Sequence, residues 1–231
     1  MDRIINPPVS MSLFFFLFLL LPLLFFMLFI NIISISFTKL GFHPSFAFLL
    51  LFGSLIGSFI NIPLKELESE GDFLSYKPSR LGWFFPEPVI ERKTVKTVIA
   101  ANVGGAMIPV LVSGILIFRC PEMLPAIIIG TIICVLVSYM VAQPVPGMGI
   151  AMPIFVAPLT SAVVAVILAA LFPGTARTVV AYTSGVLGVL VGADLLNLDK
   201  IKKLGAPTAS IGGAGTFDGI FLTGILAVLL V

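Results

Sequence analysis

Two aspartates carry the chemistry that this sequence can do. Asp194 stands in "VLVGADLLNLDK" and Asp218 in "GGAGTFDGI", the only acidic residues within the long apolar runs of the chain. A carboxylate inside a bilayer costs about 2.5 kcal/mol or more, so it marks a working site unless something compensates for it. Asp194 lies six residues before Lys200, which marks the edge of its run, so it sits about 9 Å of helix below that surface. Asp218 lies thirteen residues before Val231. That is about 20 Å of helix, which leaves about 10 Å of a hydrocarbon core about 30 Å thick on the other side. The two acids come to one depth on consecutive antiparallel helices, and helices joined by a short connection are usually neighbours.

Two carboxylates a few Å apart cannot both ionise cheaply, so they hold one proton between them. The ionised member can take a proton from a water attacking a peptide carbonyl while the protonated member polarises that carbonyl. Asp194 and Asp218 are therefore expected to be the catalytic pair of an intramembrane aspartyl protease. The same pair also suits a proton relay or an ion ligand in a cation- or proton-coupled transporter. Each acid has a structural reading as well. Asp218 fits the first turn of a helix capped by Thr216, and Asp194 could snorkel beside Asp199 and the neighbouring lysines. In a scaffold or lipid-binding protein both would be silent.

The elements around the pair must open the membrane interior. Gly212, Gly213, Gly215 and Gly219 surround Asp218. A glycine run leaves backbone groups unpaired and lets another chain approach, which in a bilayer is tolerated only beside protein or a watery cavity. These four are expected to bind substrate backbone, although a transporter could use the same break to aim a half-helix at its ion. The uncharged segment "QPVPGMGIAMP", Gln143 to Pro153, reads as a re-entrant hairpin in which Gln143, Pro144, Pro146 and Gly147 offer extended edges to a substrate strand. An ordinary tight turn has the same composition. Gly188-x3-Gly192 and Gly215-x3-Gly219 flank the aspartates at the spacing of close helix packing, which would draw the two aspartate helices together. Asn61 and Asn102 read as interhelical hydrogen-bonding amides.

Hydrophobic residues make up 59% of the 231 and charged residues 10%, with a mean hydropathy of +1.19. That excludes an ordinary soluble domain. Apolar runs at roughly 9–37, 45–62, 95–118, 124–142, 154–172 and 178–198, with a last one inside 204–231, approach the length of about 20 residues that a crossing needs. The expected fold is an all-α membrane protein of about seven transmembrane helices, a single integral membrane domain over 1–231. On that threading Lys39, Arg119 and Arg177 lie on one face and the other ten of the 13 basic residues on the opposite one. The positive-inside rule then puts the N-terminus in the cytoplasm and the C-terminus outside. Residues 64–93 mix charges and prolines around the only tryptophan, Trp83, and read as a cytoplasmic loop.

No cofactor or metal is expected: Cys120 and Cys134 lack metal-ligand or C-x-x-C spacing, and the single histidine, His43, sits in a short turn. No basic cluster with interleaved aromatics points to nucleic acid. The expected partners are the lipid bilayer and a membrane-protein or peptide substrate, and an oligomer is compatible with the sequence.

The segments "GSFINIPL", "QPVPGMGI", "GADLLNL" and "GGAGTFDGI" resemble an uncharacterised family of prokaryotic multi-pass membrane proteins, classed as a domain of unknown function. That resemblance implies a prokaryotic plasma membrane and no activity. More distantly, the pattern is similar to the GxGD-type intramembrane aspartyl proteases: presenilins, signal peptide peptidases and prepilin peptidases. In those an aspartate on one helix faces a glycine-flanked aspartate on another, which implies the same roles for Asp194 and Asp218. Here the glycine motif runs G-A-G-T-F-D, two residues longer than G-x-G-D, and the proline-rich element precedes the aspartates.

Overall fold

The computed structural model describes the backbone of residues 11–79, 82–145, 149–201, 208–213 and 218–231, and the side chains within those ranges apart from residues 12, 67–95, 149 and 201. The chain divides into two compact units, Met1–Leu51 and Phe52–Val231.

The first unit is governed by α1 (Met11–Lys39), 29 residues that are apolar on every face and about 43 Å long. Phe14, Phe18 and Phe25 are all exposed, as suits a helix whose solvent is lipid rather than water. A turn at Gly41, with φ of 82°, leads into α2 (Pro44–Gly57). Proline at the first helical position is pre-set for a helix start, and the His43 imidazole Nδ1 accepts from the Ser45 amide at 3.3 Å. His43 is thus part of that turn.

The second unit is a helical bundle with an attached sheet. The helices α3 (Ile108–Arg119), α4 (Leu124–Val141), α5 (Val156–Leu171) and α8 (Gly219–Leu230) all pack against α6 (Arg177–Val189). An unbroken stretch of α6 from Val179 to Val186 is buried. Glycine and serine let the helices close on one another. A methyl group at Gly185 would lie 2.9 Å from Ser161 Oγ on α5 and from Thr223 Cγ2 on α8, and one at Gly224 would lie 2.7 Å from the Tyr182 ring on α6. With lipid on the far side there is no hydrophobic drive to assemble, and such close backbone approach supplies the packing energy instead.

Helices occupy all seven expected apolar runs. Three, Leu13–Lys39, Pro121–Val141 and Arg177–Lys200, are long and apolar enough to cross a membrane, and four, Pro44–Gly57, Val103–Arg119, Val156–Leu171 and Gly219–Leu230, are shorter apolar helices. The all-α expectation needs correcting in two places. Of residues 64–93, read as a loop, 64–79 and 82–93 lie in the long antiparallel strands β1 (Asn61–Ser79) and β2 (Gly82–Asn102). Their register sets Asn61 opposite Asn102 and acids opposite bases at Asp72 with Arg92 and Lys77 with Glu87. β2 also takes residues 95–102 from the run expected to begin the third helix. The second sheet is the two-stranded hairpin of β3 (Gln143–Val145) and β4 (Gly149–Ala151), in the proline segment read as a hairpin.

Candidate functional site

Asp194 is placed by an irregularity in the helix. After Val189 the chain leaves α-helical pairing for a π-turn, Leu190–Asp194, followed by one 3₁₀ turn, Leu195–Asn197, and the short α7 (Leu198–Ile201). A π-turn carries one residue more than an α-turn, so it re-aims everything beyond it and is frequent at functional sites. The turn is clamped by a buried side chain. Asn197 Nδ2 donates to the carbonyls of Gly192 at 3.0 Å and Ala193 at 2.9 Å. Asp194, at the end of the π-turn, is half-buried.

Asp218 is placed by a strand and a turn. β5 (Thr208–Ile211) pairs in parallel with β2, Val98 to Ala101, and completes the sheet order β1-β2-β5. Gly212 follows with φ of 72°, a left-handed conformation that glycine takes without strain. It is buried against a second π-turn, Val103–Met107, so tightly that a methyl group on Gly105 would run into the Gly212 carbonyl and approach Asp218 Cβ to 3.3 Å. Asp218 itself is extended, with φ of −75° and ψ of 167°, at the N-cap of α8, and its side chain makes no capping hydrogen bond. Its carbonyl starts the helix by accepting from Leu222 N at 2.9 Å. Residue 216, the expected cap, lies outside the described residues. The N-terminal end of α8 favours negative charge where Asp218 stands.

The two carboxylates share one cavity of about 280 Å³, lined by Asp194, Asp218, Val189, Ala193, Gly219 and Leu222 together with Ile150, Ala151, Met152 and Ile154 from β4 and the residues after it. They are close enough to interact electrostatically. The structure brings Asp194 and Asp218 to the lining of the same cavity. In chemical terms, the site is a mostly apolar pocket that holds two acids and has a β-hairpin for one wall.

The residues read as substrate-binding separate into groups. Gly219 lines the aspartate cavity. Gln143 lines a neighbouring cavity of about 270 Å³, which shares Ala151 and Met152 with the first. Pro144 pairs with Ile150 in the hairpin ladder. Gly212 and Gly213 form the turn after β5, where Gly213 N donates to Ser210 O at 3.2 Å. Pro146, Gly147 and Gly215 lie outside the described residues. The wall residues Ile150 to Met152 belong to the same Gln143–Pro153 segment, but as apolar residues they carry no individual signal in the sequence.

The glycine spacing works differently from the sequence expectation. Gly188 and Gly192 face α4, where added methyl groups would strike Cys134 and Val135. Contact between α6 and α8 runs instead through Gly185 and Gly224, which meet Thr223 and Tyr182 across the interface. Asn61 and Asn102 do bond to one another, Nδ2 of Asn102 to Oδ1 of Asn61 at 2.9 Å, but across a strand pair and not between helices.

No curated protein and no solved structure matches the chain. A family model described as a protein of unknown function, DUF1614, matches residues 55–230, a span that contains both aspartates, both π-turns and the hairpin wall, and the chain belongs to that family.

Proposed function

We propose that this protein is an intramembrane aspartyl protease of a prokaryotic plasma membrane, crossing the bilayer seven times with its N-terminus in the cytoplasm. The observation that carries the reading is the single cavity lined by Asp194 and Asp218 with β4 as a wall. The glycines that flank Asp218 in "GGAGTFDGI" support it, because a break in a helix within a bilayer is tolerated only beside protein or a watery cavity. A water held between the carboxylates is deprotonated by the ionised member and attacks the scissile carbonyl, whose oxygen takes the proton of the other. Collapse of the tetrahedral intermediate returns a proton to the leaving amine and restores the shared-proton pair. The substrate is a transmembrane or membrane-proximal segment, unwound so that its backbone reaches the acids. The apolar remainder of the cavity suits an uncharged side chain next to the bond cleaved.

The test is cleavage of a panel of single-span substrates by protein reconstituted in liposomes. Asp194→Asn and Asp218→Asn should each lower the rate about a hundredfold or more, the usual contribution of a positioned acid or base. Either variant cleaving as well as the parent defeats the reading. Sodium- or proton-gradient-driven flux without cleavage would assign the same pair to ion translocation.

A further inference from the structure

We propose that Asn197 and Asn102 are positioning residues of the aspartate pair, each clamping the π-turn that sets where one carboxylate points. The proposal rests on the pair being the working site, but not on which reaction the pair performs.

The two amides do corresponding jobs. Asn197 is fully buried, and its Nδ2 holds the Gly192 and Ala193 carbonyls at 3.0 and 2.9 Å, the two immediately before Asp194. Widening a helix to π pairing withdraws carbonyls from the α ladder, and a buried carbonyl left without a donor is costly. One side chain that satisfies both makes the π-turn the stable form. Without it, relaxation to α pairing shifts the helix phase by one residue, about 100°, and turns Asp194 away from the cavity.

Asn102 is also buried and stands at the start of the other π-turn, its Oδ1 accepting from Gly105 N at 2.8 Å. Its Nδ2 donates to Ser58 O at 2.7 Å and to Asn61 Oδ1 at 2.9 Å, and the same Asn61 oxygen accepts from Ser210 Oγ at 2.6 Å. One amide therefore ties β1, β5 and the π-turn into a single frame. Gly105 is the point of that frame on which Gly212 rests beside Asp218. An asparagine is suited to both places because its amide nitrogen donates twice without a charge, and at Asn102 the amide oxygen accepts as well.

The experiment measures geometry separately from chemistry. In a background with Cys120→Ser and Cys134→Ser, Asp194→Cys and Asp218→Cys are joined by a short bifunctional thiosulfonate, and the crosslinked fraction is read by mass spectrometry. Asn197→Leu should cut that fraction about tenfold, because a residue turned by about 100° no longer faces its partner, and Asn102→Leu should cut it as well, because the Gly105 backbone on which Gly212 rests beside Asp218 loses its hold. Asn31→Leu should leave it unchanged, since the Asn31 amide bonds within its own helix, to Met27 O at 2.8 Å. Asn197→Ser and Asn102→Ser decide the matter if the leucine variants are not monodisperse. In the parent with both aspartates, the four variants should lower kcat about a hundredfold and leave KM nearly unchanged. An unchanged crosslinked fraction in folded variants overturns the proposal, and so does loss of fold in all four, which would assign the asparagines to stability alone. Crosslinking lost in a protein whose parent cleaves nothing leaves the positioning role standing and removes the protease reading.

Discussion

Gly105→Ala is the smallest change that should disable the site without touching either acid. The added methyl group would overlap the Gly212 carbonyl oxygen, lie 3.0 Å from the Gly212 carbonyl carbon and 3.3 Å from Asp218 Cβ. Comfortable carbon contacts begin near 3.5 Å, so the Gly212 turn must retreat by about 1 Å or more. It cannot do so by a rotamer change, because the obstacle is backbone, and Gly212 lies tightly against Gly105 and Ala106. Overpacking of this kind costs about 1–3 kcal/mol of stability, which a bundle of this size should survive as a fold. Displacing a reacting group by about 1 Å costs about a hundredfold in rate. The assay is liposome cleavage alongside thermal unfolding, with Gly114→Ala as control, since a methyl group there meets nothing within 4 Å. A folded Gly105→Ala protein that cleaves at the parental rate would refute the idea that the π-turn at Val103–Met107 holds Asp218 in place.

Two further outcomes follow from the same contacts. Gly224→Ala drives a methyl group to 2.7 Å from the buried Tyr182 ring and 2.8 Å from Val186 Cγ2. The melting temperature should fall by about 5 °C, from about 1–3 kcal/mol of overpacking, while Gly114→Ala, in a helix interior with open space, should raise it slightly. Cleavage should follow a bell-shaped pH profile, because one carboxyl must be ionised and the other protonated; a single sigmoid across the range would speak against a shared proton.

Much of this arrangement is legible in the residues. Hydropathy finds the helical runs because helices such as α1 are apolar all round, and Asp194 and Asp218 stand out as the acids within those runs. The β1–β2 hairpin escapes that reading because its polar strands lack clean alternation and include Pro63, Pro78, Pro86 and Pro88. Its signal is the charge reversal about the turn, Asp72 against Arg92 and Lys77 against Glu87. The small-residue motif identifies the right helix and the wrong neighbour. Gly188 and Gly192 mark a face of close approach, but a four-residue spacing cannot say which helix comes near, and α4 occupies that face. The work of α6 against α8 falls to Gly185 and Gly224, one on each helix and so invisible to any motif within a segment.

Depth and aim are set by different physics, and only depth follows from periodicity. A straight α-helix fixes how far below the surface each aspartate lies, yet its regularity leaves no freedom in which way they face. Both acids here adjoin places where that regularity fails: Asp194 ends one π-turn, and Asp218 is backed by another through Gly105 and Gly212. Each failure exposes backbone groups that hydrocarbon cannot satisfy, so each needs a polar side chain beside it, and in both places an asparagine supplies the bonds. It follows that Asn102, which reads from the sequence as an interhelical amide, and Asn197, which carries no such signal, belong to the same device as the acids. A sequence with the aspartates kept and these asparagines lost should hold its carboxylates at matched depth and fail to bring them into one cavity.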